Sequence, residues 1–236
     1  MLVHLLRSHP DICSHGELLS PGKITGITGT YLTKHHAQVG FLDQLTAERD
    51  RDPIKFLYKI ALDLQGKKAV CFKLKHDELI LPECKRLREE IVNDTDFRII
   101  HLRRENLLRR YLSHYIASRV THVTLAVQGQ TAPEMPRVTL NPHECEKDFE
   151  TVRHREAEFS ELFAQHPSFS ISYEEMVRGD AEKLAALVNF MGVTPRQLTT
   201  TTQRLGRDDL RQVIINFEEL RTYFAEGPYA KFFDEP

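Results

Sequence analysis

Three short apolar runs, and longer runs with helical spacing between them, set the pattern of this chain. Residues 69–74, 97–102 and 169–173 are each rich in β-branched or aromatic side chains, as buried strands are. Residues 53–64 open with Pro53 at a position suited to a first helical turn and put Ile54, Leu57, Tyr58 and Leu62 on one side. Residues 105–120 carry Leu108, Tyr111, Leu112 and Tyr115 at helical spacing, and residues 143–164 form a charged helical stretch with a thin apolar stripe. Residues 180–191 read as an amphipathic helix burying Leu184, Leu187, Val188 and Met191, with Gly192 as its stop. Residues 208–225 read as another, with Leu210, Val213, Ile214, Phe217 and Leu220 inward.

Strands alternating with helices predict an α/β fold, three-layered, with a mainly parallel sheet flanked by helices. Residues 1–236 read as a single domain with an irregular, Gly- and Pro-rich insertion near 128–142, containing a short hairpin around 137–140. Residues 20–31 hold Gly22, Gly26 and Gly29, but no strand precedes them and no Gly-Lys-Ser/Thr ends them. An ordinary surface loop is therefore a better reading there than a phosphate loop.

Composition narrows the function. The 41% hydrophobic content of 236 residues suffices for one sizeable core. A net charge of -2 argues against nucleic acid as a partner, while leaving room for a local basic cluster that holds a small anion. No apolar run approaches the roughly 20 residues of a membrane helix. Residues 1–6 lack the basic flank and cleavage site of a signal peptide, so a cytoplasmic location is expected. Cys13, Cys71, Cys84 and Cys145 form no Cys-x-x-Cys pair and read as reduced structural thiols. His143, Cys145 and His154 fit no standard zinc spacing, and no metal is expected.

In an open parallel sheet, ligands bind beyond the carboxyl ends of the strands. Here those positions are residues 73–77, 103–113 and 173–175. The middle segment is the most informative, because a strand runs straight into a helix with Arg103 and Arg104 at the junction. A helix start offers unpaired N–H groups and a positive dipole end, and a guanidinium presents a planar fork that matches phosphate oxygens. Ser113 reaches the same anion only if the helix curves back over the site. The plainer alternative has both arginines solvated or paired with Glu105 or another acid.

This segment resembles the sulfotransferases that use 3′-phosphoadenosine 5′-phosphosulfate (PAPS), and is most similar to the bacterial branch of carbohydrate and nodulation-factor sulfotransferases. Residues 5–18, with Ser-His-Pro followed by an acid, are similar to the family's segment after its first helix. Residues 71–74 resemble its Gly-Phe-Lys-Leu strand, residues 171–176 its Tyr-Glu-Asp-Leu strand end, residues 190–193 its Phe-Leu-Gly-Val, and residues 209–233 its C-terminal helix and tail. These stretches span nearly the whole chain in the family's order.

The resemblance implies a fold of the P-loop type and transfer of a sulfuryl group from PAPS to a hydroxyl of a carbohydrate or glycolipid, without a metal. It implies that Arg104, with Ser113, holds the donor's 3′-phosphate; the usual spacing is one residue shorter, so Arg103 stands as the alternative. It implies Glu17 as general base, a role a carboxylate at the cleft mouth can fill if a partly buried setting raises its pKa; His15 and His76 are rival bases. Lys73 would contact sulfonate or bridging oxygens, Tyr173 would lie near the adenine, and Gln203 and Arg204 would reach the 3′-phosphate. Against these stand plainer readings: Glu17 capping a turn after Gly16, Lys73 snorkelling from a sheet edge, and His76 and Tyr173 serving the core. The region 28–51 and the insertion would shape the acceptor pocket.

One departure sets a further expectation. The family begins with a strand and a loop like Gly-Arg-Ser-Gly-Ser-Thr that wraps the 5′-phosphosulfate, whereas residues 1–6 here align inside the following helix. An N-terminally truncated form of the fold is expected, with poor stability and little transferase activity. The alternatives are a non-catalytic adenosine-phosphate-binding or partner-binding remnant, or a P-loop kinase, which would need the Gly-Lys-Ser/Thr loop and an acid for Mg²⁺.

Overall fold

Two short strands, Ile12–Ser14 (β1) and Ala69–Cys71 (β2), pair in parallel, with Ile12 opposite Ala69, Cys13 opposite Val70 and Ser14 opposite Cys71. The pairing runs on past both strands. His15 N donates to Cys71 O at 2.8 Å and Lys73 N to Gly16 O at 2.9 Å, so the chain segments leaving the two strands stay side by side. A computed structural model of the chain describes residues 1–35, 38–121, 126–127, 136–200, 202–203 and 209–234.

Around this pair the helices α1 (Leu2–Arg7), α2 (Thr30–His35), α3 (Phe41–Arg51), α4 (Pro53–Phe56), α5 (His76–Leu79) and α6 (Lys85–Asn93) follow in chain order. Next come β3 (Ile99–Arg103), α7 (Leu107–Ile116), β4 (Ala126–Val127), α8 (Pro142–Leu162) and β5 (Ser168–Ser172). The chain closes with α9 (Tyr173–Arg178), α10 (Ala181–Phe190), β6 (Thr202–Gln203) and α11 (Phe217–Tyr223). β3 pairs with β5, and β4 pairs antiparallel with β6. The class is α/β, as expected, but the parallel sheet is small: the described strands associate two by two.

The chain forms two compact units, one of Met1–Leu102 and Phe159–Thr200, the other of Arg103–Glu158 and Thr201–Pro236. The first has two apolar cores. One gathers Leu18, Ile24, Leu57, Leu79 and Leu87 with Phe159 and Phe163; the other gathers Leu5, Leu6, Ile12, Ile171, Leu187 and Val188. The second unit is built on Leu108, Tyr111, Leu112, Phe149, Phe217, Leu220 and the aromatic tail Tyr229, Phe232 and Phe233.

Several elements depart from the sequence pattern. The helix expected over 53–64 begins as α4 but widens at Leu57–Ala61 into a π-helical turn. Tyr58 faces solvent there, its hydroxyl donating to Glu90 at 2.8 Å and Asp94 at 3.2 Å. α7 likewise passes into a π turn at Ala117–Thr121. The single helix expected over 208–225 is broken into a 3₁₀ turn, Leu210–Gln212, and α11. The intervening backbone is used elsewhere: Val138 N donates to Val213 O and Ile215 N to Val138 O, both at 2.8 Å. Val138 therefore bridges in parallel to Ile214, and among the described residues no hairpin pairing of 137–140 is present. Residues 128–135 of the insertion lie outside the described residues.

Candidate functional site

The residues leaving β1 and β2 carry a chain of charges. After β2, Phe72 and Leu74 pack against the first unit's core. In extended backbone alternate side chains face opposite ways, so the intervening Lys73 and Lys75 are left about half exposed, at 48% and 45%. Opposite them, Gly16 brings the end of β1 against the 24–28 loop. Gly16 N donates to Gly26 O at 2.8 Å, and a Cβ on Gly16 would lie 2.7 Å from Thr25 O. Only glycine allows that approach. Thr25 N then donates to Glu17 O at 3.0 Å, which fixes the backbone of Glu17 itself.

Glu17 meets both lysines. Its Oε1 accepts from Lys73 Nζ at 2.5 Å, and its Oε2 lies 2.9 Å from Lys75 Nζ. Lys75 Nζ also lies 2.6 Å from Oε1 of Glu78, a buried carboxylate in α5 that accepts from Ser20 Oγ at 2.7 Å. Ser20 is held from behind by Arg49, which is only 4% exposed and donates to the carbonyls of Leu18 and Ser20. Burial of Glu17 pushes its pKa up, but hydrogen bonds from Lys73 and Lys75, together with their charges, outweigh this and hold it below the usual glutamate value. The raised pKa expected for a partly buried base is thus reversed by two ammonium partners. Lys75 responds in kind: burial lowers it, yet Glu78 and Glu17 raise it overall.

His15, a rival base by sequence, is fully buried. Thr28 N donates to its Nδ1 at 3.1 Å, and its Nε2 lies 3.5 Å from Cys13 Sγ. Burial, reinforced by the Arg7 charge, drives its pKa down to about 4. It is a neutral, structural imidazole. Arg7 itself ties the end of β1 to the loop, donating to Ser14 O at 2.9 Å and Gly26 O at 2.6 Å. His76, the other rival, opens α5 and stacks on Phe159 with ring centroids 4.1 Å apart; the His101 ring is 5.5 Å away. Tyr173 stands at the start of α9, where the Ser172 hydroxyl accepts from Glu175 N, and it packs on the second core of this unit.

The remaining predicted residues belong to the second unit. Arg103 ends β3 and is exposed, and Arg104 is half-buried in the turn that follows. Asn106, fully buried, starts α7: its Oδ1 accepts from Arg109 N at 3.0 Å and its Nδ2 donates to Phe232 O at 3.0 Å. Asn106 thereby caps the start of α7 and ties it to the C-terminal tail. Ser113 is exposed on α7, about 10 Å along the helix axis from that cap. It shares a face with Arg110, which pairs with Asp148 at 2.7 Å. Glu156 lies near Arg103, Arg153 and Arg110; burial raises its pKa more than these arginines lower it. Arg204 lies outside the described residues, as does the side chain of Gln203.

Among the described residues, no three His, Cys, Asp or Glu side chains gather to hold a metal ion. Cys145 is buried, while His143 turns to Tyr223 and His154 to Glu158. Among those residues, too, no helix is long and apolar enough to cross a membrane.

The sequence missed Lys75, Glu78 and Ser20. A signal existed for Lys75: it lies two residues from Lys73 in extended chain, hence on the same side. Glu78 had no such signal, because its burial depends on Ser20, which is distant in sequence.

The chain is 28% identical over 232 residues to nodulation protein H of Rhizobium tropici, covering 98% of this chain and 86% of that one. It is 26% identical over 235 residues to nodulation protein H of Rhizobium meliloti strain 1021, covering 99% and 89%. No protein-family model matches the chain, and no solved structure does.

Proposed function

We propose that this chain, a relative of nodulation protein H along nearly its whole length, is a sulfotransferase that moves a sulfuryl group from PAPS to a hydroxyl of a carbohydrate or glycolipid. One observation carries the reading. A carboxylate and an ammonium, Glu17 and Lys73, meet at 2.5 Å beyond the carboxyl ends of two parallel strands, where α/β folds bind their ligands.

The chemistry follows from that pair. Glu17, ionised at neutral pH, takes the proton of the acceptor hydroxyl as its oxygen bonds to sulfur. The bond from sulfur to the donor's bridging oxygen breaks, and adenosine 3′,5′-bisphosphate leaves with the electron pair. Lys73 supplies a point charge to the sulfonate or bridging oxygen, where negative charge builds up. Arg104, or its neighbour Arg103, together with Ser113, is assigned to the donor's 3′-phosphate, and Tyr173 to the adenine. Lys73 cannot serve donor and base through the same bond. Once it turns to the donor, Glu17 loses a positive partner and becomes a stronger base when one is needed.

Incubation of the full-length protein with PAPS and a chito-oligosaccharide tests this. A product heavier by one sulfuryl group supports the proposal. Tight binding of adenosine 3′,5′-bisphosphate with no transfer to any hydroxyl acceptor would leave a binding protein instead.

A further inference from the structure

Glu17 has two ammonium partners, and they are anchored differently. Among the described residues, Lys73 is ion-paired to Glu17 alone, at 2.5 Å. Lys75 is shared between Glu17, at 2.9 Å, and Glu78, at 2.6 Å. Glu78 is 7% exposed and itself fixed by the Ser20 hydroxyl at 2.7 Å. Ser20 Oγ also donates to Glu17 Oε2, at 3.4 Å, so both donors to that oxygen, Lys75 Nζ and Ser20 Oγ, belong to the anchored half of the network. The backbone beneath is equally constrained, since Arg49 holds the carbonyls of Leu18 and Ser20. Oε1 therefore faces an exchangeable partner and Oε2 a fixed one.

From this asymmetry we infer that Lys75, anchored by Glu78 and Ser20, is a positioning residue that keeps Glu17 oriented through Oε2 while Oε1 is exposed to the acceptor hydroxyl. This rests on the sulfotransferase reading and extends it. Without Lys75, Glu17 would keep only the long Ser20 contact each time Lys73 engaged the donor, and a misplaced base is slow even when its protonation state is right. The direct depression of the Glu17 pKa by Lys75 is a secondary consequence, and it gives the arrangement a readout that packing alone would not move.

The test compares K75M, K75R and E78Q in the full-length protein. For K75M, kcat should fall about 10- to 100-fold with the donor KM nearly unchanged. The ascending limb of its pH profile should move to higher pH by about one unit, because a cation beside the base is gone. K75R should restore much of kcat. E78Q should also lower kcat, but its limb should move the other way, because a neighbouring negative charge is removed. A K75M loss expressed in donor KM, or an unmoved limb, overturns the inference. A titration of the Glu17 carboxyl carbon by NMR, wild type against K75M, separates this failure from failure of the function itself. If no sulfuryl transfer is found in wild type, a Glu17 pKa raised in K75M still supports the tether, and an unchanged one refutes it.

Discussion

Glu17 Oε1 accepts a 2.5 Å hydrogen bond from Lys73 Nζ, joining the segment that leaves β1 to the segment that leaves β2. Parallel pairing produces this contact. Equal register carries both chain segments out in the same direction, and the bond from Lys73 N to Gly16 O keeps them together. Replacing Lys73 by methionine keeps the stem and removes the charge. The expected result is a fall in kcat/KM of about 100-fold, typical of losing one charge-stabilising donor, with a raised donor KM. The ascending limb of the kcat/KM profile should also rise, since Glu17 loses its 2.5 Å partner. Steady-state kinetics across pH 4–8 would read both, and an unchanged donor KM would remove Lys73 from the donor site.

Gly16 is tested by stability. An alanine Cβ would meet Thr25 O at 2.7 Å and Gly26 Cα at 3.0 Å, and both are backbone atoms. Relief requires moving the loop that holds Glu17. G16A should therefore lower stability by about 1–3 kcal/mol and reduce turnover beyond what the unfolded fraction explains. Thermal unfolding followed beside activity would show this; wild-type values for both would contradict the tight approach.

His15 governs acid stability in the first unit. Its folded pKa is driven down to about 4 by burial, against about 6.5 in the unfolded chain. Between these values the unfolded chain binds the extra proton, so stability is complete above about pH 6.5 and falls as the pH drops toward 4. The full effect is on the order of 3 kcal/mol. H15N, whose amide oxygen can still accept from Thr28 N, should flatten that slope in urea titrations at stepped pH. An unchanged slope would contradict a buried neutral imidazole.

The arginine pair at the β3–α7 junction is separable by calorimetry with adenosine 3′,5′-bisphosphate. R104A should weaken binding by about 1.5–3 kcal/mol, the usual worth of a hydrogen bond to a charged group, and R103A by less. If R103A is the larger, the phosphate assignment moves by one residue. If neither matters, it fails.

The sequence disclosed the elements whose stability is local. α7 follows the spacing of Leu108, Tyr111 and Leu112, all buried, and α10 stops where Gly192 takes a left-handed φ of 79°. It did not disclose β1: Ile12, Cys13 and Ser14 are all buried, so no alternation marks them, and their pairing with β2 is long-range. The break between 210 and 217 has a similar cause. Leu210, Val213, Ile214, Phe217 and Leu220 are inward as helical spacing suggests, yet Val138 captures the backbone between them. At the site, the family resemblance marked Glu17, and Lys73 was marked by its place just beyond a strand, while the reversal of the Glu17 pKa required seeing two ammonium groups on one carboxylate.

The central claim is that Glu17 is the base of a sulfuryl transfer, and E17Q in the full-length protein tests it most directly. The measurement is the rate of label transfer from [³⁵S]PAPS to a chito-oligosaccharide, beside the affinity for adenosine 3′,5′-bisphosphate. The account predicts transfer by wild type, about 10²- to 10⁴-fold slower transfer by E17Q, and unchanged nucleotide affinity. Equal transfer rates in the two proteins would contradict it.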